Sequence, residues 1–429
     1  MQGLILGVDI CDDHSQVSFF DPAQHDAAPV SIAGQLYVPT VICKEKGTDN
    51  WLIGENAYRC ALLGNGTMVD KLIKLMGRDG TATIEGVKYK ASKLFEMFAE
   101  RMLRLAMQEL ATEEEGAVRS EGPGEGVASV VFTIYKKEAG IMDALMHAAD
   151  SLGIPRERVH MACHDEAFLF YVISQRKDLW LNQAGLFELS VAGLFYYELS
   201  VVRGRKPQIV KVAHESLEEG FSLEILETAS GKKLGDSILS SCAERLTGKK
   251  VINSVFLTGR GFEETEWAPQ FLKIICAKRR VFQVSALYAR GAVYMALDAL
   301  NEVTSYPYMC MCEGRLGVTV SMQVRYEGRE RRLVLAQAGS DWYEAKASAG
   351  VIPAGRRDIE LLVTQPGSAR QDRLLIPLDD FPDRPDKTTR VDIVTAFLDE
   401  NTLSVIVTDR GFGEFFPASG KVIRRDFKL

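Results

Sequence analysis

The stretch from Leu4 to Asp21 constrains the chain most. Leu4-Ile5-Leu6-Gly7-Val8 is an apolar run that ends on the carboxylate of Asp9 and on Ile10. Cys11, Asp12 and Asp13 make a short polar turn, and His14 to Phe20 form a second run that ends on Asp21. This pattern predicts a buried strand, a tight reversal and a second strand pairing back on the first. Asp9 is the unusual residue, because a carboxylate inside an apolar strand needs a partner or a metal. The simpler role is a turn former that accepts from its own backbone amides.

A chain of 429 residues predicts two or three domains. Its hydrophobic fraction of 46% and charged fraction of 25% are those of ordinary globular proteins. The net charge is −7 with basic residues scattered, so no nucleic-acid footprint is expected; that would need a concentrated basic face. No apolar run reaches spanning length, and the N-terminus lacks a basic region and a small-residue cleavage site. The expectation is a cytoplasmic protein with no membrane partner. The eight cysteines contain no C-x-x-C and read as reduced core thiols. Cys310-Met311-Cys312 is either half of a metal site or packing; no matching Cys/His pair stands out elsewhere.

Further along, Tyr37–Cys43 and Trp51–Ala57 flank a Gly/Asp/Asn turn and predict a hairpin. Apolar residues at helical spacing (Leu94, Phe95, Phe98, Met102, Leu105) predict an amphipathic helix from Lys90 to Leu110. Residues 112–126 form an acidic, glycine-rich loop. A strand over Val127–Tyr135, a helix to Asp150, and the segment Val159–Gln175 follow. After Asn301 the texture changes to strands. Val318, Val320, Met322 and Val324 alternate with polar residues, and apolar runs recur near Leu333–Ala336, Ile359–Val363 and Leu374–Leu378. Two more runs, Val391–Phe397 and Leu403–Val407, flank a turn at Asp399-Glu400-Asn401. The reading is an antiparallel β-sandwich.

Gly7-Val8-Asp9-Ile10 with its turn resembles the first phosphate loop of the actin/hexokinase/heat-shock-chaperone superfamily, in particular the DnaK-type chaperones. Lys71 to Arg78 resembles their A-K-R-L-I-G-R segment. Cys163 to Tyr171 resembles I-N-E-P-T-A-A-A-L-A-Y, and Val255 to Phe262 the adenosine motif V-L-V-G-G-S-S. Leu287 to Tyr294 looks like the helix that closes the fold, and Arg390 to Gly413 like a stretch of the peptide-binding β-domain. The resemblance covers nearly the whole chain in order. It implies an α/β actin-like two-lobed ATPase fold over residues 1–301, a linker at 302–316, and an all-β sandwich over 317–429. The sequence ends at Leu429, before a helical lid would begin, so no lid is expected. The lobe between Glu188 and Gly259 is expected to be reduced, because only a strand pair and one helix near Lys232–Leu246 fit there.

The same resemblance implies the site residues. Asp9 and Glu188 would be the paired carboxylates of two facing turns, and either Asp165 or Glu166 the glutamate near the attacking water. Asp12, Asp13, Ser15, Lys74, Gly193, Gly259, Arg260 and Gly261 fall where nucleotide is held, with Mg2+ on Asp9 if nucleotide binds. Several letters argue against hydrolysis. The position of the family's lysine falls on Ile73, with Lys74 in the arginine's place. Val191 is β-branched where a phosphate cradle needs a bare backbone. Asp12 and Asp13 place negative charge near the phosphates; like charges about 5 Å apart repel by on the order of 3 kcal/mol at an effective dielectric near 20. The expectation is a pseudo-ATPase interaction module with no bound cofactor, which binds an extended segment of a partner protein through its β-domain. The alternative is a divergent ATP-dependent chaperone or nucleotide-gated switch. An actin-like filament former is disfavoured, since it needs no C-terminal sandwich.

Overall fold

The computed structural model describes residues 3–113, 124–204, 206–353, 355–368 and 370–429. Most of the acidic loop expected at 112–126 lies outside them. The chain divides into two compact units, Met1–Val201 with Val212–Pro307, and Val202–Lys211 with Tyr308–Leu429.

In the first unit, β1 (Leu4–Ile10), β2 (His14–Asp21) and β3 (Asp26–Val30) form an antiparallel meander. β4 (Val38–Pro39) pairs on β2. β5 (Ile42–Glu45), β6 (Trp51–Ile53) and β7 (Gly66–Val69) make a small sheet that carries α1 (Gly54–Leu62). A short α2 (Leu72–Met76) and the hairpin β8 (Thr81–Ile84) and β9 (Val87–Lys90) lead into α3 (Ala91–Glu113). The chain then returns to the first sheet as β10 (Val127–Ile134), crosses through α4 (Ala139–Ser151) to β11 (Val159–Cys163), and leaves as α5 (His164–Ser174). β10 runs parallel to β1, and β11 parallel to β10. The strand order is β11-β10-β1-β2-β3.

The plan then repeats. β12 (Gln183–Ser190) and β13 (Gly193–Val202) form a hairpin, followed by β14 (Gln208–Ser216) and α6 (Ala229–Thr247). β15 (Ile252–Thr258), α7 (Pro269–Cys276), β16 (Arg280–Gln283) and α8 (Leu287–Asp298) complete it. The strand order β16-β15-β12-β13-β14 is that of the first sheet, with β15 parallel to β12 and β16 parallel to β15. Asp9 pairs with Thr133, and Glu188 pairs with Thr258. Each carboxylate thus sits opposite a threonine at the end of the first strand of its half.

The last helices interlock the halves. α8 lies on β1 and β2, while Phe168 and Tyr171 of α5 meet the ring of Phe256 on β15. Glycines let the backbones close up. A Cβ at Gly291 would fall 1.9 Å from the Ala167 carbonyl oxygen, and one at Gly7 2.1 Å from that of Ala289.

The second unit holds two four-stranded antiparallel sheets. β18 (Thr319–Tyr326), β19 (Arg329–Ala336), β21 (Asp358–Thr364) and β22 (Gln371–Pro377) are ordered β19-β18-β21-β22. β20 (Ala347–Val351), β23 (Arg390–Asp399), β24 (Thr402–Gly411) and β25 (Val422–Lys428) are ordered β20-β23-β24-β25. The expected linker differs. Tyr308–Met311 is a strand, β17, parallel to Gln208–Lys211. Its partner lies about a hundred residues earlier, a distance at which sequence pattern carries no pairing signal. The cysteines also depart from a uniform core role: Cys276 is exposed, and Cys11 and Cys312 are half-buried. Among the described residues no helix is long and apolar enough to cross a membrane.

Candidate functional site

β1 delivers Asp9 to the end of the first sheet with 4% of its surface exposed. The turn behind it is closed by Cys11 N–H donating to the His14 carbonyl at 3.2 Å. A buried carboxylate needs an answering group, and His164 supplies it: its Nε2 lies 2.9 Å from Asp9 Oδ1. His164 is the first residue of α5, so the β11–α5 junction aims the ring back across the sheet end. The imidazole stacks on Tyr288 of α8, with centroids 3.9 Å apart and planes 7° from parallel. Tyr288 in turn donates its hydroxyl to Glu188 Oε2 at 2.6 Å, and Tyr197 reaches the same oxygen at 3.4 Å. A chain of contacts, Asp9–His164–Tyr288–Glu188, thus joins the ends of the two first strands.

The electrostatics follow from that chain. Burial alone would lower the His164 pKa, but the Asp9 charge and hydrogen bond, with Glu188 and Asp165, raise it. Burial, then Glu188, pushes the Tyr288 phenol well up. The Cys11 thiol is raised by burial first and by Asp9, Glu188 and Asp13 after it. His14 goes the other way: burial and the neighbouring Arg260 guanidinium lower it to about 4.

Asp9, Asp12, Asp13, Lys74, Glu188, Gly259 and Arg260 line one cavity of about 280 Å³ together with His164 and Tyr288. Within it, Asp12 is turned aside. Its Oδ1 accepts from the backbone N–H of Ile73 at 3.0 Å and of Lys74 at 3.3 Å, and its Oδ2 lies 3.7 Å from Lys74 Nζ. The carboxylate therefore anchors the start of α2, where free N–H groups favour negative charge. Ile73 also lines the cavity, where the family resemblance would put a lysine. Val191 stands 57% exposed in the two-residue turn that Ser190 and Gly193 close. Gly259 has φ +91°, and a Cβ there would fall 2.4 Å from the Leu189 carbonyl oxygen. Arg260 Nη1 lies 3.2 Å from His14 Nε2.

The remaining expected residues do not line this cavity. Ser15 Oγ is buried against Thr40 Oγ1 at 2.8 Å. Gly193 has φ +136° in its turn, and Gly261 is buried against Leu189. The Asp165/Glu166 alternative finds both carboxylates engaged elsewhere. Asp165 Oδ1 is 2.7 Å from His214 Nδ1. Glu166 is fully buried against Lys137 Nζ at 2.8 Å and accepts from Cys163 N–H at 2.9 Å. Breaking such a buried pair costs about 3–5 kcal/mol, so Glu166 secures the β11–α5 junction rather than facing the cleft.

His164 and Tyr288 were missed by the sequence reading. His164 stands in the run Cys163-His164-Asp165, and adjacency in sequence is a poor sign of a catalytic triad, whose members come from distant parts of a chain. Tyr288 sits in a helix that reads as packing. Only their partners, 155 and 100 residues away, reveal them.

Residues 28–313 match a family of unknown function, DUF5716, over its C-terminal part. Residues 315–429 match a domain of unknown function, DUF8552. No curated protein matches the chain.

Proposed function

We propose that this chain, which belongs to the family of unknown function DUF5716, is a DnaK-like, non-hydrolysing member of the actin-like ATPase superfamily that serves as a protein-interaction module. Support for the fold comes from the repeated strand order and from the ordered motif resemblances. The twin carboxylates Asp9 and Glu188 at one cavity add to it. The observation that carries the loss of hydrolysis is the Asp9–His164–Tyr288–Glu188 chain. Both carboxylates that would manage metal and phosphate are hydrogen-bonded to protein side chains, and a protein ring lies between them. Transferring a phosphoryl group needs positive charge and free backbone donors at the phosphates. Here Ile73 brings no charge, Asp13 adds an acidic group to the cavity wall, and Val191 puts a branched side chain in the second turn.

The second unit is the proposed binding part, a β-sandwich that takes an extended protein segment. β19, β22, β20 and β25 end their sheets, and a sheet edge offers unpaired backbone groups to an added strand. The second reading is a nucleotide-gated chaperone. It is favoured by the open cavity of about 280 Å³ with Arg260 at its wall.

Two measurements test the proposal. Phosphate release from Mg-ATP should stay at the buffer background; turnover that disappears in Asp9→Ala would contradict the first half. An array of extended peptides probed with the full chain should show a subset bound with modest affinity, and uniform silence would contradict the second.

A further inference from the structure

Asp9, Cys11 and His164 bring three different donor atoms to one point of the cleft floor. His164 Nε2 lies 2.9 Å from Asp9 Oδ1 and 3.6 Å from Cys11 Sγ, and that sulfur is 3.8 Å from either Asp9 oxygen. We propose that these three side chains form a binding site for a zinc-class divalent metal ion, with a fourth position open to the cavity.

Distance is the first argument. Zinc holds thiolate sulfur at about 2.3 Å, imidazole nitrogen at about 2.0–2.1 Å and carboxylate oxygen at about 2.0–2.2 Å. A tetrahedral ion with those bonds sets its ligand atoms about 3.3–3.6 Å from one another. Two of the three observed separations lie within a few tenths of an ångström of that range. The third is a direct imidazole–carboxylate hydrogen bond of 2.9 Å, which a bound ion would replace. The three atoms lie on a circle of radius about 2.0 Å, so an ion at bonding distance sits just above their plane.

Chemistry and charge are the second. Sulfur and imidazole donors select zinc-class ions over magnesium, which demands oxygen ligands. An aspartate, a thiolate and a neutral imidazole carry two negative charges, so a divalent ion leaves the three ligands and the metal electroneutral together. Loading displaces the Cys11 thiol proton and any proton on His164. The parallel ring of Tyr288 fixes the plane of the imidazole. All three ligands line the cavity, and three protein ligands with one open position is the arrangement of a reactive rather than a purely structural zinc site. Among the described residues His164 Nδ1 has no hydrogen-bond partner. The imidazole thus lacks the outer partner that tightens many sites, which weakens affinity by roughly 10–100-fold.

The site shares Asp9 and His164 with the nucleotide proposal, but its test has its own readout. The reduced, chelator-stripped full chain is titrated with Co2+ and followed by absorption. One equivalent should bring a near-ultraviolet thiolate charge-transfer band, which Zn2+ removes and a millimolar excess of Mg2+ does not. Cys11→Ser should abolish the band and weaken binding at least tenfold, whereas Cys276→Ala, at an exposed thiol, should keep it. A second measurement needs no variant: one equivalent of Zn2+ should slow alkylation of Cys11 at least tenfold and leave Cys276 unchanged. A chain that takes up no Co2+, a band that survives Cys11→Ser, or alkylation of Cys11 indifferent to Zn2+ would each overturn the proposal.

Discussion

Asp9 and Glu188 show how much a single neighbour decides. Either carboxylate left free at the end of its strand would present negative charge to the cavity, ready for a hydrated cation. Their partners, His164 and Tyr288, come from helices of opposite halves and stack on each other, so each acid is answered before any ligand arrives. His14 offers a residue-scale test by pH. Its folded pKa is lowered to about 4 by burial and by Arg260, against an ordinary value near 6.5. The fold prefers the neutral ring, so this contribution is full above about pH 6.5 and is lost as pH falls through 4. Because the ring is partly solvated, about 1–2 kcal/mol is at stake after screening. Urea midpoints at pH 7.5 and 4.5 should fall further for the unmodified chain than for His14→Gln; equal losses would refute the assignment. Of the residues that carry a motif, Asp9, Asp12, Asp13, Lys74, Glu188, Gly259 and Arg260 reach one cavity, whereas Ser15, Gly193 and Gly261 pack beside it. His164 and Tyr288 were not legible, because their role exists only in side-chain contacts between distant helices.

At the scale of elements, long periodic segments could be read and short or polar ones could not. The run through Leu94, Phe95, Phe98 and Met102 predicts a helix that extends over Ala91–Glu113, because a 3.6-residue apolar stripe has few other solutions. Val320, Met322 and Val324 similarly announce β18. By contrast, β16 has four residues and β25 reads Val-Ile-Arg-Arg-Asp-Phe-Lys; both take their conformation from the neighbour they pair with. Strand β17 hid in an expected linker for the same reason. The crossing of α5 and α8 is the element-scale feature on which the cleft depends, since it sets His164 against Tyr288. A Cβ at Gly291 would meet the Ala167 carbonyl at 1.9 Å, so Gly291→Ala should destabilise by about 2–3 kcal/mol as overpacking. Gly140, in α4 with nothing within 4 Å of its would-be Cβ, is the control. Its replacement by alanine should be neutral or stabilise by up to about 1 kcal/mol. Denaturation midpoints decide, and equal behaviour of the two variants would mean that the helices do not cross at Gly291.

For the whole molecule, the α/β unit repeats one strand order and holds its cleft floor with its own side chains, and the all-β unit is proposed to meet a partner. The two-lobed plan with facing Asp9 and Glu188 turns is expected from the sequence only through the family resemblance, because neither half announces the other by composition or periodicity. What the halves share is spacing and topology, which appear once Asp9 faces Thr133 and Glu188 faces Thr258. The claim that most needs testing is that Mg-ATP finds no site there. A ligand that binds only the native state at a hundredfold excess over its Kd adds about 2.7 kcal/mol of stability, and each kcal/mol moves a unit of this size by about 2–4 °C. Thermal unfolding of the full chain with and without millimolar Mg-ATP is therefore the direct measurement. The predicted result is coincident melting curves; a rise of several degrees that Asp9→Ala abolishes would contradict the account and make the nucleotide-gated chaperone the better reading.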